Sequence, residues 1–228
     1  LLPRYGVAVA KHGNRSASSM SGSIDVVEAL GIPYSNDPEV VAREIDENGI
    51  SFIFAQYFHP VVGKVAKVRK EMGFGTIFNL LGPLLNPARL KAQLIGVYSE
   101  AVLDKLSEVV KILNIHRTVI VHGLLDHLDE VSISGPTKVA FVEGSKVEKF
   151  VFDPRDIGLK LYPPESVKGG SPKENAEIIR AILNGGGTEA QRAIVALNAG
   201  FALWTAGEVV SIEEGVRLVG GDLHINIG

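Results

Sequence analysis

Apolar runs of five or six residues alternate along the chain with stretches whose apolar positions recur at helical spacing. Tyr5–Ala10 is small and β-branched, as a buried strand requires, and Ile24–Leu30 follows in helical period with Gly31 as its stop. Asn36-Asp37-Pro38-Glu39 reads as the start of a second helix that runs through Ile45 to Gly49. Ser51–Gln56 predicts a strand, Val61–Met72 a helix, and Gln93–Tyr98 another strand. Ser99 then caps a helix from Glu100 to about Leu113, and Arg117–Gly123 returns as a strand. Lys138–Val142 and Val147–Phe152 alternate as a hairpin about Glu143-Gly144-Ser145. Ser171-Pro-Lys-Glu174, Thr188-Glu-Ala-Gln191 and Ser211-Ile-Glu-Glu214 have capping-box spacing. The helix from Thr188 to about Thr205 is apolar almost all round, which predicts burial, with Asn198 as a satisfied core amide. Strands and helices in this alternation predict an α/β fold, a mixed central sheet flanked by helices.

Composition narrows the classes. The 228 residues, 46% hydrophobic, suffice for a substantial core. With 23 basic against 26 acidic residues the net charge is −3, which gives no support for nucleic-acid binding, so any anion has to meet a local cluster of charge. The absence of cysteine excludes disulfides, thiol nucleophiles and thiolate metal sites, and fits a cytoplasmic protein. No apolar run approaches the length of a membrane span, so no membrane partner is expected.

The polar stretch between the first strand and helix holds the candidate chemistry. Lys11, His12, Asn14, Arg15 and the serines at 16, 18, 19, 21 and 23 surround Gly13 and Gly22. A strand end feeding a helix start is where α/β folds bind anions. Further along, Asp129 and Glu130 follow a predicted strand, where adjacent acids commonly form a solvated loop or a helix start. The three histidines at 12, 122 and 127 lack metal-site spacing and are read as structural.

Lys-His-Gly-Asn-Arg-Ser, followed by Ser-Gly-Ser-x-Asp-Val-x-Glu-Ala-Leu-Gly, resembles the loop of the anthranilate phosphoribosyltransferase family. So do Thr76–Ala88 with its Gly82-Pro83, His122–Glu130, and the Gly-Gly-Ser-Pro string from Gly169, so the resemblance covers nearly the whole chain. It implies the catalytic domain shared by nucleoside phosphorylases and this phosphoribosyltransferase type, spanning 1–219. It also implies transfer of the phosphoribosyl group of phosphoribosyl pyrophosphate to anthranilate, in tryptophan biosynthesis. Lys11, Ser18, Ser19 and Ser23 then meet phosphates, Asn14 and His59 orient the ring and amine, and Arg69 forks the anthranilate carboxylate. Gly82 and Pro83 shape the substrate channel, and Asp129 and Glu130 bind Mg²⁺. Met20, Gly75 and His127 depart from the family, which has Lys, Arg and Gly there. The family's helical N-terminal segment and glycine-rich pyrophosphate loop do not precede Leu1, so the chain is expected to be incomplete, and a homodimer is expected of the intact protein. The tail 220–228, opening Gly220-Gly221-Asp222, resembles a shortened form of that loop. The alternatives are a pyrimidine nucleoside phosphorylase, disfavoured by the loop and the acidic pair, and a non-catalytic nucleic-acid-binding relative.

Overall fold

The computed structural model describes residues 1–15, 20–60, 81–113, 115–225 and 227. The expected helix over Val61–Met72 lies outside these. Contacts divide the chain into two compact units: one comprises Leu1–Leu2, Leu90–Lys168 and Ala181–Gly228, and the other Pro3–Arg89 and Gly169–Arg180.

In the unit containing the N-terminal strand, β1 (Val9–Gly13) and β2 (Ile50–Phe54) pair in parallel, from Val9↔Ile50 to Gly13↔Phe54. β1 thus starts later than the apolar pattern predicts and carries Lys11 and His12 inside the strand. The reason is non-local: Gly6 turns back at φ 81° with its N–H on the Pro3 carbonyl, and pairing begins only where Val9 N–H reaches Gly49. Two helices follow the sequence signals. α1 (Ser23–Leu30) ends at left-handed Gly31, and α2 (Pro38–Asn48) has Asp37 as N-cap and left-handed Gly49 as its stop. Ile24, Val27, Val41, Ile53 and Phe54 form the buried core, and the chain leaves β2 through a helical turn, α3 (Ala55–Phe58). The second part of this unit, from Gly169, opens α5 (Pro172–Leu183), where Ser171 and Glu174 form the predicted capping box.

The other unit holds a four-stranded mixed sheet. β3 (Ala92–Gly96) runs parallel to β4 (Arg117–Gly123), and β5 (Thr137–Glu143) and β6 (Lys146–Phe152) continue antiparallel. The β5–β6 hairpin turns at Gly144, φ 57°, as the pattern predicts. Side chains on β5 alternate between faces, and that sorts the helices. Lys138 bonds Glu100 and Asp104 of α4 (Glu100–Leu113), whereas Phe141, three residues on, stacks on Trp204 of α6 (Glu189–Ala206). Helices therefore cover both faces, and β4 between them is buried from Thr118 to Gly123. Thr188 and Gln191 cap α6 reciprocally. Arg117 donates to the Trp204 carbonyl near the end of α6, where a cation meets the negative end of the helix dipole. α7 (Ile212–Asp222) packs on α6 where Gly200 meets Gly215. The mixed α/β architecture expected from the pattern is present, although the described strands form two sheets, one in each unit.

Candidate active site

The end of β1 and the start of α1 are brought together by small residues. A Cβ on Gly13 would lie 3.2 Å from the Ser23 side chain, so glycine lets the strand end approach the first helical turn. Gly22 caps that turn, and its N–H donates to Asp25 at 2.9 Å. Lys11 and Asn14 are exposed, and Asn14 Oδ1 accepts from Arg15 N–H at 2.8 Å and from Gln56 at 3.2 Å. The second cation of the loop is diverted: Arg15 pairs with Glu28 at 2.6 Å and covers the Phe54 ring. Ser18, Ser19 and Arg69 lie outside the described residues.

In the same unit, a short 3₁₀ turn, Gly82–Leu85, lies against the strand end. Pro83 occupies its first turn, Leu85 offers its carbonyl to His59 Nε2 at 2.6 Å, and Asn86 donates to the Ala10 carbonyl at 3.0 Å. His59 thereby braces the turn and stands edge-on to His12, 5.4 Å between ring centroids. Among the described residues, none would lie within 4 Å of a Cβ on Gly82.

Burial, with repulsion from His59 and Lys11, holds the His12 pKa below its ordinary 6.5 against an opposing hydrogen bond with the Gly82 backbone. In the unfolded chain the imidazole takes its proton at the ordinary value, whereas the folded one stays neutral to lower pH. The unfolded state then binds more protons, and stability falls as pH drops below about 6.5 toward the folded pKa. A His12→Gln variant is expected to flatten that part of the profile, measured as urea midpoint against pH. An unchanged slope would assign the acid sensitivity to other groups.

In the four-stranded unit, the loop from β4 to β5 carries three acids with different fates. Asp126 is consumed internally: its Oδ1 accepts Leu128 N–H at 3.2 Å and its Oδ2 accepts the Ser132 hydroxyl at 2.6 Å. Asp129 and Glu130 are exposed, and fully buried Val131, Ser132 and Ile133 follow at once. The amide of Asn198 on α6 grips Val131 from both sides, accepting its N–H at 2.9 Å and donating to its carbonyl at 3.0 Å. On the other flank the Asp129 carbonyl passes so close to β3 that a Cβ on Gly96 would sit 1.5 Å from it. Nothing in the local sequence pairs Gly96 or Asn198 with this loop. The available signals were an amide inside an apolar helix and a glycine ending a strand. His127 adopts φ 56°, the left-handed region that glycine enters without strain. Its ring stacks on buried His122, which bonds the Val97 carbonyl at 2.8 Å.

Among the described residues, no group of three or more His, Cys, Asp or Glu side chains is placed to hold a metal. Two exposed carboxylates on a pinned backbone fit a hard cation that keeps most of its oxygen ligands from water and a diphosphate.

The C-terminal stretch corrects the expectation of a glycine-rich loop. Gly220, Gly221 and Asp222 are the end of α7, and the carbonyls of Val219, Gly220 and Gly221 accept from Leu223, Ile225 and His224. Buried Val216, Val219, Leu223 and Ile225 carry the packing through the glycines. Gly220 is tight because Ile227 covers it, a Cβ there falling 2.6 Å from the Ile227 side chain.

A family model described as "Glycosyl transferase family, a/b domain" matches residues 2–224. The chain is 52% identical over 218 residues to the anthranilate phosphoribosyltransferase of Dictyoglomus thermophilum, covering 96% of this chain and 65% of that protein. Its fold matches the crystal structure of anthranilate phosphoribosyltransferase from Thermus thermophilus with a TM-score of 0.88 at 42% identity, over 96% of this chain and 64% of that one. The Saccharomyces cerevisiae enzyme in complex with PRPP and Mg matches at 0.80 and 27% identity, over 96% of this chain and 61% of that one. The chain thus spans just under two thirds of the length of these relatives. No helix among the described residues is long and apolar enough to cross a membrane.

Proposed function

From the premise that this chain belongs to the glycosyl transferase family through its a/b domain, we propose that its protein transfers the phosphoribosyl group of phosphoribosyl pyrophosphate to anthranilate. The amine nitrogen bonds to C1 as the bond from C1 to the diphosphate oxygen breaks, pyrophosphate leaves with the electron pair, and the nitrogen gives up a proton. The observation that carries this reading is the exposed Asp129-Glu130 pair on a backbone pinned by Asn198 and Gly96. It is supported by the relative that was solved with PRPP and Mg.

An aromatic amine is uncharged at neutral pH, so the site needs no strong base, and positioning and electrostatics supply most of the rate. Lys11 supplies a point charge to the phosphates, and Ser18, Ser19 and Ser23 are the hydroxyl residues assigned to bind them. Asn14 and His59 orient the ring and amine, Arg69 forks the carboxylate, and Gly82 and Pro83 leave room for the ring. Asp129 and Glu130 hold Mg²⁺, which when bound neutralises charge on the leaving diphosphate. A homodimer belongs to the same reading.

The test is the loss of anthranilate fluorescence on addition of phosphoribosyl pyrophosphate, with and without Mg²⁺. Loss that requires both is expected. A folded protein that shows none, or that instead splits a pyrimidine nucleoside with phosphate, overturns the proposal.

A further inference from the structure

Asn198 sits in the middle of α6, within the otherwise apolar run from Ala193 to Trp204, and spends its amide on backbone. Oδ1 accepts the Val131 N–H, while Nδ2 donates to the carbonyls of Val131 at 3.0 Å and Ile194 at 3.0 Å. The bond to Ile194 ties the amide to its own helix, so the grip on Val131 transmits the position of α6 to the loop. Val131 is wholly buried and directly follows Glu130. An unpaired N–H and carbonyl there would each incur the desolvation cost of an orphan group, so this backbone holds to the amide. At the other end of the pair, the Asp129 carbonyl packs against Gly96 so closely that only a residue without a Cβ fits there. The two carboxylates therefore project from a backbone held on both flanks, while Asp126, the acid nearest in sequence, is locked into the loop by Leu128 and Ser132.

We infer that Asn198 is the positioning residue of the acidic pair: by clamping Val131 it sets the spacing of Asp129 and Glu130, and with it their affinity for a divalent cation bound with diphosphate. The inference rests on the reading of Asp129 and Glu130 as the cation-binding carboxylates. Asn198 itself touches neither cation nor substrate. Groups that orient a ligating carboxylate from behind typically govern metal affinity nearly as strongly as the ligands do.

Three variants of the protein are compared: Asn198→Ala, Gly96→Ala, and Asp129→Asn/Glu130→Gln as the reference for loss of the pair. Binding of Mn²⁺ in the presence of phosphoribosyl pyrophosphate is read from the electron paramagnetic resonance signal of the free ion. Turnover is measured against Mg²⁺ and against anthranilate. Asn198→Ala is expected to weaken Mn²⁺ binding by about tenfold or more and to raise the Mg²⁺ concentration for half-maximal rate in step, with the KM for anthranilate unchanged. Gly96→Ala, whose Cβ would sit 1.5 Å from the Asp129 carbonyl oxygen and so must displace the loop, is expected to weaken Mn²⁺ binding together with a lower melting temperature. If Asn198→Ala does not fold, Asn198→Leu, which keeps the helix filled, takes its place. Should the double variant lose Mn²⁺ while the Asn198 variant binds it normally, Asn198 is only a core amide and the inference falls. Should the double variant itself keep Mn²⁺, the acidic pair is not the cation site, and the functional reading beneath the inference fails with it.

Discussion

Magnesium-dependent turnover is expected to fall by at least about a hundredfold in the Asp129→Asn/Glu130→Gln variant, the scale on which groups that stabilise transition-state charge act. The substitutions keep the shape of both side chains and remove only their charge. Both residues are exposed, and Asn198 grips the backbone that follows them, so the fold is expected to be largely retained. Surface changes of this kind usually shift stability by no more than about 0.5 kcal/mol. A steady-state assay at saturating Mg²⁺, paired with a thermal melt, separates the two effects. Loss of rate at an unchanged melting temperature is the expected pair of results. Full activity in the variant would remove the acidic pair from the reaction.

The second large effect is on stability. Gly200→Ala is expected to destabilise the protein by about 2 kcal/mol or more, the range for forcing volume into a filled contact. A Cβ at Gly200 would lie 2.5 Å from the Val216 nitrogen and 2.8 Å from the Gly215 carbonyl carbon, and one at Gly215 would lie 2.6 Å from the Gly200 oxygen. Two helix backbones meet here, and neither can swing aside as a flexible side chain would. Alanine has the better helix propensity by about 1 kcal/mol. That gain works in the opposite direction and is outweighed, because relieving the overlap requires α6 and α7 to separate along buried Phe201, Val216 and Val219. For a chain of this size the loss corresponds to a melting temperature lower by roughly 4–8 °C. Asn198 lies two residues before Gly200 on α6, so movement of the helix should also loosen the grip on Val131. Calorimetry on the variant decides the matter: a midpoint at or above that of the parent would show that the crossing has slack.

The sequence alone determined the features whose physics is local. Asp37 before Pro38, Ser99, the reciprocal pair Thr188 and Gln191, and Ser211 each satisfy helix N–H groups within a few residues, and the helices start where those residues stand. Alternation about Gly144 placed the hairpin, and the apolar run from Ala193 to Trp204 announced a buried helix. The residue strings at Lys11–Ser16 and His122–Glu130 carried the resemblance, and they are short stretches legible without a fold. Tertiary structure decided what depends on partners distant in the chain. Pairing with β2 carried β1 past Ala10 to Gly13, and burial of Val216, Val219 and Leu223 accompanies a helix that runs through Gly220 and Gly221 to Asp222. Three acids stand within five residues of one another, and only the folded loop shows that Asp126 is spent on Leu128 and Ser132 while Asp129 and Glu130 stay at the surface. Asn198 reaches Val131 across 67 residues, and Gly96 makes room for Asp129. A bond between segments so far apart leaves no period or cap in either of them, because its energy is realised only once both are packed.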